Sequence, residues 1–452
     1  MMHQTLFSGN DLELDVLDGG HDVSIVTFEA RDRFLTPGKE HAFGQGYGRG
    51  LFAPMGMNEF IIKKNKNIWY QTREMVTVAG IIKSKTHGQR VITYGGSMGG
   101  FAAINFAPML NADEFVALSP LFDVAPDGVL RDQRWKVDWS ETSFDYNLIR
   151  VGACRSAKGY VFFANNSPDG PHAELLAKET SATVIELDYG GHPCSFFLND
   201  AYKLKTLVAE IAFESFDARK FRQVLEERTP LTHYPYERRS AQLEKEGADA
   251  AALEQIELAV SRKPNLARLH AKRGNLLLKK REFVDAAAAF HAAIGLEPNN
   301  SYHHVRLSYA HAGTENYAQA VHDMDAAIAL AATKAEYHAR RAEWLLCAEL
   351  YREAAVDFQE AIRLDPKRSN HYVRLSYAYA GMKRFGEAVE AMDNAISLFP
   401  EKAEYHVRRG EWLLADQKLE AAALAMRRAI QILPTAVVAP RRLDFIESQL
   451  RQ

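Results

Sequence analysis

Residues 334–346 read KAEYHARRAEWLL, and residues 402–414 read KAEYHVRRGEWLL, so this stretch returns almost unchanged after 68 positions. A second stretch, VRLSYA at residues 305–310, recurs at residues 373–378 with the same offset. Repetition at a fixed interval of this size is typical of chains built from stacked supersecondary units. The C-terminal half is therefore predicted to contain a duplicated pair of structural repeats.

Half of that interval, 34 residues, is the shorter period of the array. A proline slot shows it at Pro264, Pro298, Pro366, Pro400 and Pro434, with Ala332 in the remaining place. Two alanine series share it, namely Ala252, Ala286, Ala320, Ala354, Ala388 and Ala422, and Ala259, Ala293, Ala327, Ala361, Ala395 and Ala429. A small-residue series follows the same period at Ser240, Gly274, Ser308, Ala342, Ser376 and Gly410. Each unit is predicted to be two helices, because small residues allow close approach and proline ends the second helix.

The period, the small position, the two alanines and the proline together resemble the tetratricopeptide (TPR) repeat over about residues 236–434. The resemblance implies an all-α solenoid, and the polar stretch at residues 440–452 is expected to form a capping helix because terminal faces must meet water. It also implies a protein or peptide partner, bound along a groove that the first helix of each unit lines.

A basic residue recurs in the first helix of each unit, and we call this series the basic ladder: Lys272, Arg306, Arg340, Arg374 and Arg408. One interpretation is a groove for an acidic partner or a free carboxylate, because arginine forks pair with carboxylates. The other is local pairing, since Glu343 and Glu411 follow Arg340 and Arg408 at i,i+3. Both interpretations remain open from the sequence.

Composition and charge limit the possible functions. The chain has 452 residues, 47% hydrophobic and 25% charged, with a net charge of -3, so bulk electrostatics favours neither nucleic acid nor membrane binding. The three cysteines are scattered, and the histidines of the first helices are spread over several units, which predicts no metal site and no cofactor. A polar N-terminus and the lack of a long apolar run lead us to expect no membrane span and a cytoplasmic protein.

The first 228 residues have a different texture, in which apolar β-branched runs alternate with helical stretches. Six runs are predicted as buried strands: 23–28, 59–63, 90–94, 114–118, 160–164 and 183–187. This alternation predicts an α/β domain, a mainly parallel sheet with helices on both faces. We therefore expect a domain at residues 1–228, a proline-containing linker at 229–236 (TPLTHYPY) and the repeat domain at 237–452.

One segment of this domain carries a chemical motif. Residues 91–106 (VITYGGSMGGFAAINF) run from an apolar strand through Gly-Gly-Ser-Met-Gly into a helix of small residues. This is the G-x-S-x-G pattern in the strand–turn–helix setting that exposes a serine hydroxyl above a sheet. Gly95 and Gly99 are expected to remove side chains that would collide with neighbouring elements, which leaves Ser97 as a candidate nucleophile.

This segment resembles the nucleophile turn of the α/β-hydrolase superfamily, whose catalytic residues follow the chain order nucleophile, acid, histidine. The resemblance implies Asp169 as the acid and His192 as the base, because each lies on a loop after a late strand. Two alternatives stay open for the acid. Asp123 follows an earlier strand, and Asp169 itself is a possible helix N-cap. We expect His172 to be a loop residue near Asp169.

An oxyanion hole needs two main-chain N–H groups. Met98, which follows the serine, is expected to supply one, and Phe28 or Glu29, at the end of an earlier strand, the other. Residues 123–145 contain Trp135 and Trp139, which either cover the pocket or pack in the core.

Two functions follow as hypotheses. The first is a serine hydrolase that cleaves an ester, thioester or amide through an acyl-enzyme, or an acyltransferase on a glycan or protein hydroxyl that uses the same intermediate. The second is a non-catalytic TPR adaptor with a hydrolase-like module.

Overall fold

The computed structural model describes residues 3–31, 50–130, 132–140, 142–165, 167–435 and 437–451. The chain divides into two compact units, Met1–Pro235 and Tyr236–Gln452. The stretch predicted as a linker, 229–236, holds a short 3-10 helix, Thr229–Leu231, and the beginning of an α-helix that runs from Tyr234 to Lys245.

The first unit contains an eight-stranded mixed sheet. Its strands are β1 (His3–Ser8), β2 (Leu12–Leu17), β3 (Val23–Phe28), β4 (Asn58–Lys64), β5 (Arg90–Gly96), β6 (Glu114–Leu118), β7 (Lys158–Ala164) and β8 (Ser181–Leu187). The spatial order is β1-β2-β4-β3-β5-β6-β7-β8. The pairs β1–β2 and β2–β4 are antiparallel, and every other neighbouring pair is parallel. All six strands expected from the sequence occur, and β1 and β2 are two that it did not predict.

Helices cover both faces of this sheet. They are α1 (Glu74–Lys85), α2 (Met98–Asn105), α3 (Gly170–Glu179), α4 (Ser195–Ala201), α5 (Leu204–Ala212) and α6 (Ala218–Arg228). Alternate residues of β3 enter two separate cores: Val26 and Phe28 pack in the core with α1, α2 and α3. Ile25 packs in the core with α4, α5 and α6. A strand buried on both faces explains why the apolar residues of 23–28 (VSIVTF) do not alternate strictly with polar ones.

The second unit consists of helices. They are α7 (Tyr234–Lys245, which begins in the first unit), α8 (Asp249–Arg262), α9 (Ala267–Lys279), α10 (Phe283–Leu296), α11 (Ser301–Gly313), α12 (Tyr317–Leu330), α13 (Ala335–Cys347), α14 (Tyr351–Leu364), α15 (Ser369–Gly381), α16 (Phe385–Leu398), α17 (Ala403–Ala415), α18 (Leu419–Ile432) and α19 (Val438–Leu450). The proline slots fall two residues beyond the second helix of each 34-residue repeat. All twelve alanines of the two periodic series are fully buried, so they mark the contact between paired helices.

The loop between successive 34-residue repeats is closed by a hydrogen bond that recurs along the array. A ring on the first helix reaches back to the carbonyl of the proline-slot residue six positions earlier. It joins His270 to Pro264, His304 to Pro298, His338 to Ala332, Tyr372 to Pro366 and His406 to Pro400, at 2.7–3.3 Å. Because a carbonyl oxygen only accepts, the imidazole nitrogen or the tyrosine hydroxyl must donate. The four histidines and Tyr372 therefore stabilise the loops by bonding to their main chain.

Candidate functional site

Ser97 lies at the sharp turn between β5 and α2. Its backbone has φ 55° and ψ -118°, a left-handed conformation that a non-glycine residue adopts only under constraint. A Cβ atom on Gly95 would lie 2.2 Å from the Gly99 carbonyl oxygen, and one on Gly99 would lie 2.3 Å from the Phe28 carbonyl oxygen. The turn thus needs both glycines, as the motif predicted, because no side chain fits between α2 and the strands.

The structure brings the three predicted catalytic residues together. His192 Nε2 lies 2.8 Å from Ser97 Oγ, and His192 Nδ1 lies 2.7 Å from Asp169 Oδ2. Ser97, Asp169 and His192 follow the carboxyl ends of β5, β7 and β8, the edge of a parallel sheet where ligands bind. Chemically, this arrangement allows the serine to pass its proton to the imidazole while the carboxylate orients the ring.

The alternatives for the acid have other roles in the structure. Asp169 does occupy the N-cap position of α3, but its side chain makes no capping hydrogen bond. Asp123 is fully buried and accepts from the Ala125 N–H at 3.1 Å and from Asn147 at 3.2 Å. Of the two candidate carboxylates, the structure therefore places Asp169 against His192.

Sequence reasoning missed Arg134, which contacts the second oxygen of Asp169. Its guanidinium nitrogen Nη1 lies 3.1 Å from Asp169 Oδ1, and its Nε lies 2.8 Å from Asp132 Oδ2. Burial raises the pKa of Asp169, but the hydrogen bonds from His192 and Arg134 outweigh it and hold the pKa below its ordinary value. Asp132 is partly buried, yet Arg134 and His172 lower its pKa to about 2. Both carboxylates are therefore ionised at neutral pH.

His172 supports this cluster. It lies in α3 rather than in a loop as expected, and it is buried. Its Nδ1 accepts the Phe122 N–H at 3.1 Å, so the proton of the neutral ring sits on Nε2, 3.1 Å from Asp132 Oδ2. Burial lowers the pKa of His172, which keeps the ring neutral in this position.

The two proposed oxyanion donors are placed differently. Met98 is the first residue of α2, where a main-chain N–H has no acceptor within the helix. The Glu29 N–H instead donates to the Tyr70 hydroxyl at 2.6 Å, and Phe28 is paired within the sheet with Ile62 and Gly95. Glu29 thus does not fit the predicted role, because a tyrosine hydroxyl holds its N–H, and Phe28 stays a prediction.

The segment 132–140 adjoins the site and forms a 3-10 helix from Gln133 to Ser140. The Trp135 ring lies 5.8 Å from the His192 ring and 5.4 Å from the Trp69 ring, measured between centroids. The Trp139 indole donates to the Val124 carbonyl at 2.8 Å. Trp135 therefore packs in the core and also contacts the ring of the candidate base.

The five residues of the basic ladder lie on α9, α11, α13, α15 and α17, and they have local partners. Arg340 pairs with Glu343 and lies 4.7 Å from the Tyr309 ring, and Arg408 lies 2.6 Å from Glu411 and 4.8 Å from the Tyr377 ring. These contacts match the alternative of local pairing.

The other three members have fewer or weaker contacts. Arg306 donates to Asn275 at 2.7 Å, and Lys272 lies 3.7 Å from Glu237. Arg374 is the one exposed member of the ladder, with a side chain 44% exposed, and it lies 3.7 Å from the carboxylate of Glu343. Local pairing therefore accounts for Arg374 less completely than for Arg340 and Arg408.

Two further features bear on function. Within the described ranges, no group of three or more His, Cys, Asp or Glu side chains is arranged to hold a metal ion. Among those same residues, no helix is both long enough and apolar enough to cross a membrane.

The repeats are also supported by comparison with known proteins. Residues 271–335 and 373–437 match the family model of the tetratricopeptide repeat. The C-terminal unit therefore contains TPR repeats, which suggest a role in protein interaction. No curated protein matches the chain.

Several solved structures align with part of the chain. MamA (residues 41 to the end) from Desulfovibrio magneticus RS-1 is 21% identical over 38% of this chain and 97% of its own, with a TM-score of 0.35. YrrB, titled a TPR protein with an unusual peptide-binding site, is 18% identical over 41% and 96%, with a TM-score of 0.36. PilW, a type IV pilus biogenesis factor, is 13% identical over 46% and 96%, with a TM-score of 0.40.

Proposed function

We propose that this chain is a serine hydrolase of the α/β-hydrolase type that carries a TPR unit for binding a protein partner. The observation that supports the catalytic part is the continuous hydrogen-bonded series Ser97–His192–Asp169 at the carboxyl edge of a parallel sheet. The left-handed backbone at Ser97 and the two obligatory glycines supply the strained turn that such a nucleophile needs.

The reaction proceeds in two halves. Ser97 Oγ attacks the carbonyl carbon of an ester, thioester or amide while His192 Nε2 takes the hydroxyl proton. The tetrahedral intermediate collapses to an acyl-enzyme when His192 returns that proton to the leaving group. Water then attacks the acyl-enzyme, with His192 again accepting the proton, and Ser97 is regenerated with release of the acid. Asp169 stays ionised throughout and stabilises the imidazolium.

The oxyanion of each intermediate is held by main-chain donors. Met98 supplies one N–H from the start of α2, where the helix dipole also favours negative charge. Because Tyr70 holds the N–H of Glu29, we assign the second donor to another main-chain N–H near the end of β3.

The main experiment is turnover of an activated ester such as p-nitrophenyl acetate by the full chain. Ser97→Ala and His192→Ala should each abolish turnover above the background rate, because nucleophile and base act as a unit. Ser84→Ala, a matched serine substitution on the exposed surface of α1, should leave turnover at the wild-type level. Equal turnover by wild type and Ser97→Ala would refute the hydrolase proposal.

A TPR adaptor is the second candidate, and the family match of the C-terminal unit favours it. In an adaptor, the first unit would bind a ligand or partner without turning it over. An acyltransferase is a variant of the first candidate, since a hydroxyl of a glycan or protein can replace water at the acyl-enzyme. Product analysis with and without added alcohol separates hydrolysis from acyl transfer, and lack of any Ser97 reactivity points to the adaptor.

A further inference from the structure

We propose that Arg134 is a positioning residue for Asp169. The segment 132–140, which carries Arg134, must then hold its position for His192 to take the proton of Ser97. This inference rests on the proposed hydrolase function and extends it. It adds a structural element that lies outside the Ser–His–Asp series and that the G-x-S-x-G motif does not contain.

Asp169 is the first reason. Its side chain is fully buried, so both carboxylate oxygens need partners inside the protein. Oδ2 serves His192 at 2.7 Å, and Oδ1 serves Arg134 at 3.1 Å. With both oxygens bonded, the carboxylate cannot rotate about its last bond without losing a charge-assisted contact. Arg134 thus fixes the plane in which Asp169 presents Oδ2 to the imidazole.

Arg134 is itself held in place, which a positioning role requires. Asp132 accepts from its Nε at 2.8 Å, and the Trp135 indole donates to the same Asp132 oxygen at 3.2 Å. The buried His172 contacts that oxygen from α3 at 3.1 Å. The guanidinium therefore lies between two carboxylates in a fixed plane, a geometry that a lysine ammonium cannot reproduce.

The segment that carries Arg134 is anchored at its other end as well. Asp138 accepts from Arg31 through both carboxylate oxygens at 2.9 Å, and from the Trp69 indole at 3.1 Å. Between the anchors, Trp135 packs against the His192 ring. Two consecutive residues of one segment thus contact the acid and the base of the site, so displacement of the segment would disturb both.

The charge of Arg134 gives the inference a measurable consequence. The charged and titratable groups around Asp169 are His192, Arg134 and the buried thiol of Cys194, with Asp132 and His172 behind Arg134. Burial raises the pKa of Asp169, and the contacts to His192 and Arg134 together lower it below its ordinary value. Without the guanidinium, the rise in the pKa of Asp169 that burial causes is less opposed. Asp169 therefore becomes protonated, and activity falls, at a higher pH than in wild type.

The test measures two properties of the full chain across the acidic and neutral pH range: the rate of Ser97 labelling by a fluorophosphonate, and kcat for p-nitrophenyl acetate. Arg134→Gln should lower both by about 10- to 100-fold at neutral pH, the loss that one charge-assisted hydrogen bond represents. It should also shift to higher pH the acid limb of the pH profile, which is the range in which the rate falls as the pH is lowered. Arg134→Lys should restore the acid limb but recover kcat only in part. Arg155→Gln, at an exposed arginine, serves as the matched control and should change neither.

The outcomes separate this inference from the function beneath it. If wild type is not labelled, the hydrolase proposal fails and this inference fails with it. If wild type is labelled and Arg134→Gln keeps the wild-type rate and acid limb, only the positioning role is overturned. Should Arg134→Gln fail to fold, Asp132→Asn provides the second test, because it loosens the guanidinium without removing it. If Asp132→Asn changes neither kcat nor the pH at which the rate falls, the proposal is overturned.

Discussion

Asp169 occupies the N-cap position of α3, yet its carboxylate bonds the ring of His192 at 2.7 Å and makes no bond to the amides of the helix. An N-cap aspartate ordinarily accepts from the second or third amide of its helix, a contact that stabilises the helix by about 1 kcal/mol. Helix α3 lacks that contact because the side chain is turned towards the candidate base. This orientation is what the proposed role of Asp169 requires.

The first prediction compares the two candidate acids. Asp169→Asn should lower kcat for a small activated ester by about 10⁴, because the amide no longer holds the imidazole in the productive tautomer. Asp123→Asn should lower it far less, since Asp123 bonds Ala125 and Asn147. Steady-state kinetics of both variants give the ranking. The reverse order would show that the acid follows β6 instead of β7.

The second prediction concerns the glycines of the nucleophile turn. Gly99→Ala should destabilise the first unit by several kcal/mol or prevent its folding, because the new Cβ would lie 2.3 Å from the Phe28 carbonyl oxygen. Gly80→Ala, in the exposed middle of α1 with no atom within 4 Å of the new Cβ, should stabilise it by about 0.4–1 kcal/mol. Urea denaturation measures both. A stable, active Gly99→Ala protein would contradict the tight approach of α2 to β3.

The third prediction concerns the boundary between the units. Phe221 of α6 is fully buried in the core with Phe162 and Tyr202, and the Tyr234 ring lies 5.2 Å from that of Phe197. A chain shortened to residues 1–235 should therefore fold and hydrolyse small esters. A chain shortened to residues 1–216 should aggregate, because it exposes that core. Solubility and ester turnover decide, and an inactive 1–235 chain beside an active full chain would show that the boundary lies elsewhere.

The repeats of the C-terminal unit could be predicted from the sequence because the residues that recur with the period are those that pack between helices or end them. The buried alanines and the proline slots lie at the helix contacts and loop positions that the period indicated. The loop-closing bonds of His270, His304, His338 and His406 were not predicted, although these histidines share the period. Their partner is a main-chain carbonyl, which every residue has and no sequence pattern marks.

The first unit shows where sequence reasoning stops. The two N-terminal strands were missed because β2 carries Glu13 and Asp15, and charged residues suggest a surface. In the sheet, both are neutralised by Lys63 of the neighbouring β4, and Asp15 is fully buried. Ser97, Asp169 and His192 could be predicted to lie together because each follows a strand in the order that the α/β-hydrolase resemblance implies. Arg134 was missed because it lies in an irregular segment and reaches Asp169 across 35 residues.

The fourth prediction tests the basic ladder by a pair of matched substitutions. Arg340→Ala should lower the stability of the full chain by about 1 kcal/mol, because Arg340 pairs with Glu343 and lies against the rings of Tyr309 and Trp344. Arg374→Ala should change it by less than about 0.5 kcal/mol, as expected for an exposed side chain with distant partners. Thermal denaturation followed by helical circular dichroism measures the difference.

The same ladder can be tested for partner binding with the double variant Arg340→Ala, Arg374→Ala. If the ladder recognises an acidic partner, the double variant should lose capture of the proteins that wild type retains, and that capture should weaken as salt rises. Turnover of a small ester should be unchanged. Recovery of the same partners by both proteins would assign the ladder to the local pairs seen in the structure.

The central claim is that Ser97 is a nucleophile activated by His192, and covalent labelling tests it most directly. The full chain is treated with a fluorophosphonate, digested, and mapped by mass spectrometry. The account predicts one adduct, on the peptide containing Ser97, formed by wild type and lost in both Ser97→Ala and His192→Ala. Absence of an adduct on Ser97 under conditions in which the protein is folded, or undiminished labelling in Ser97→Ala, would contradict it.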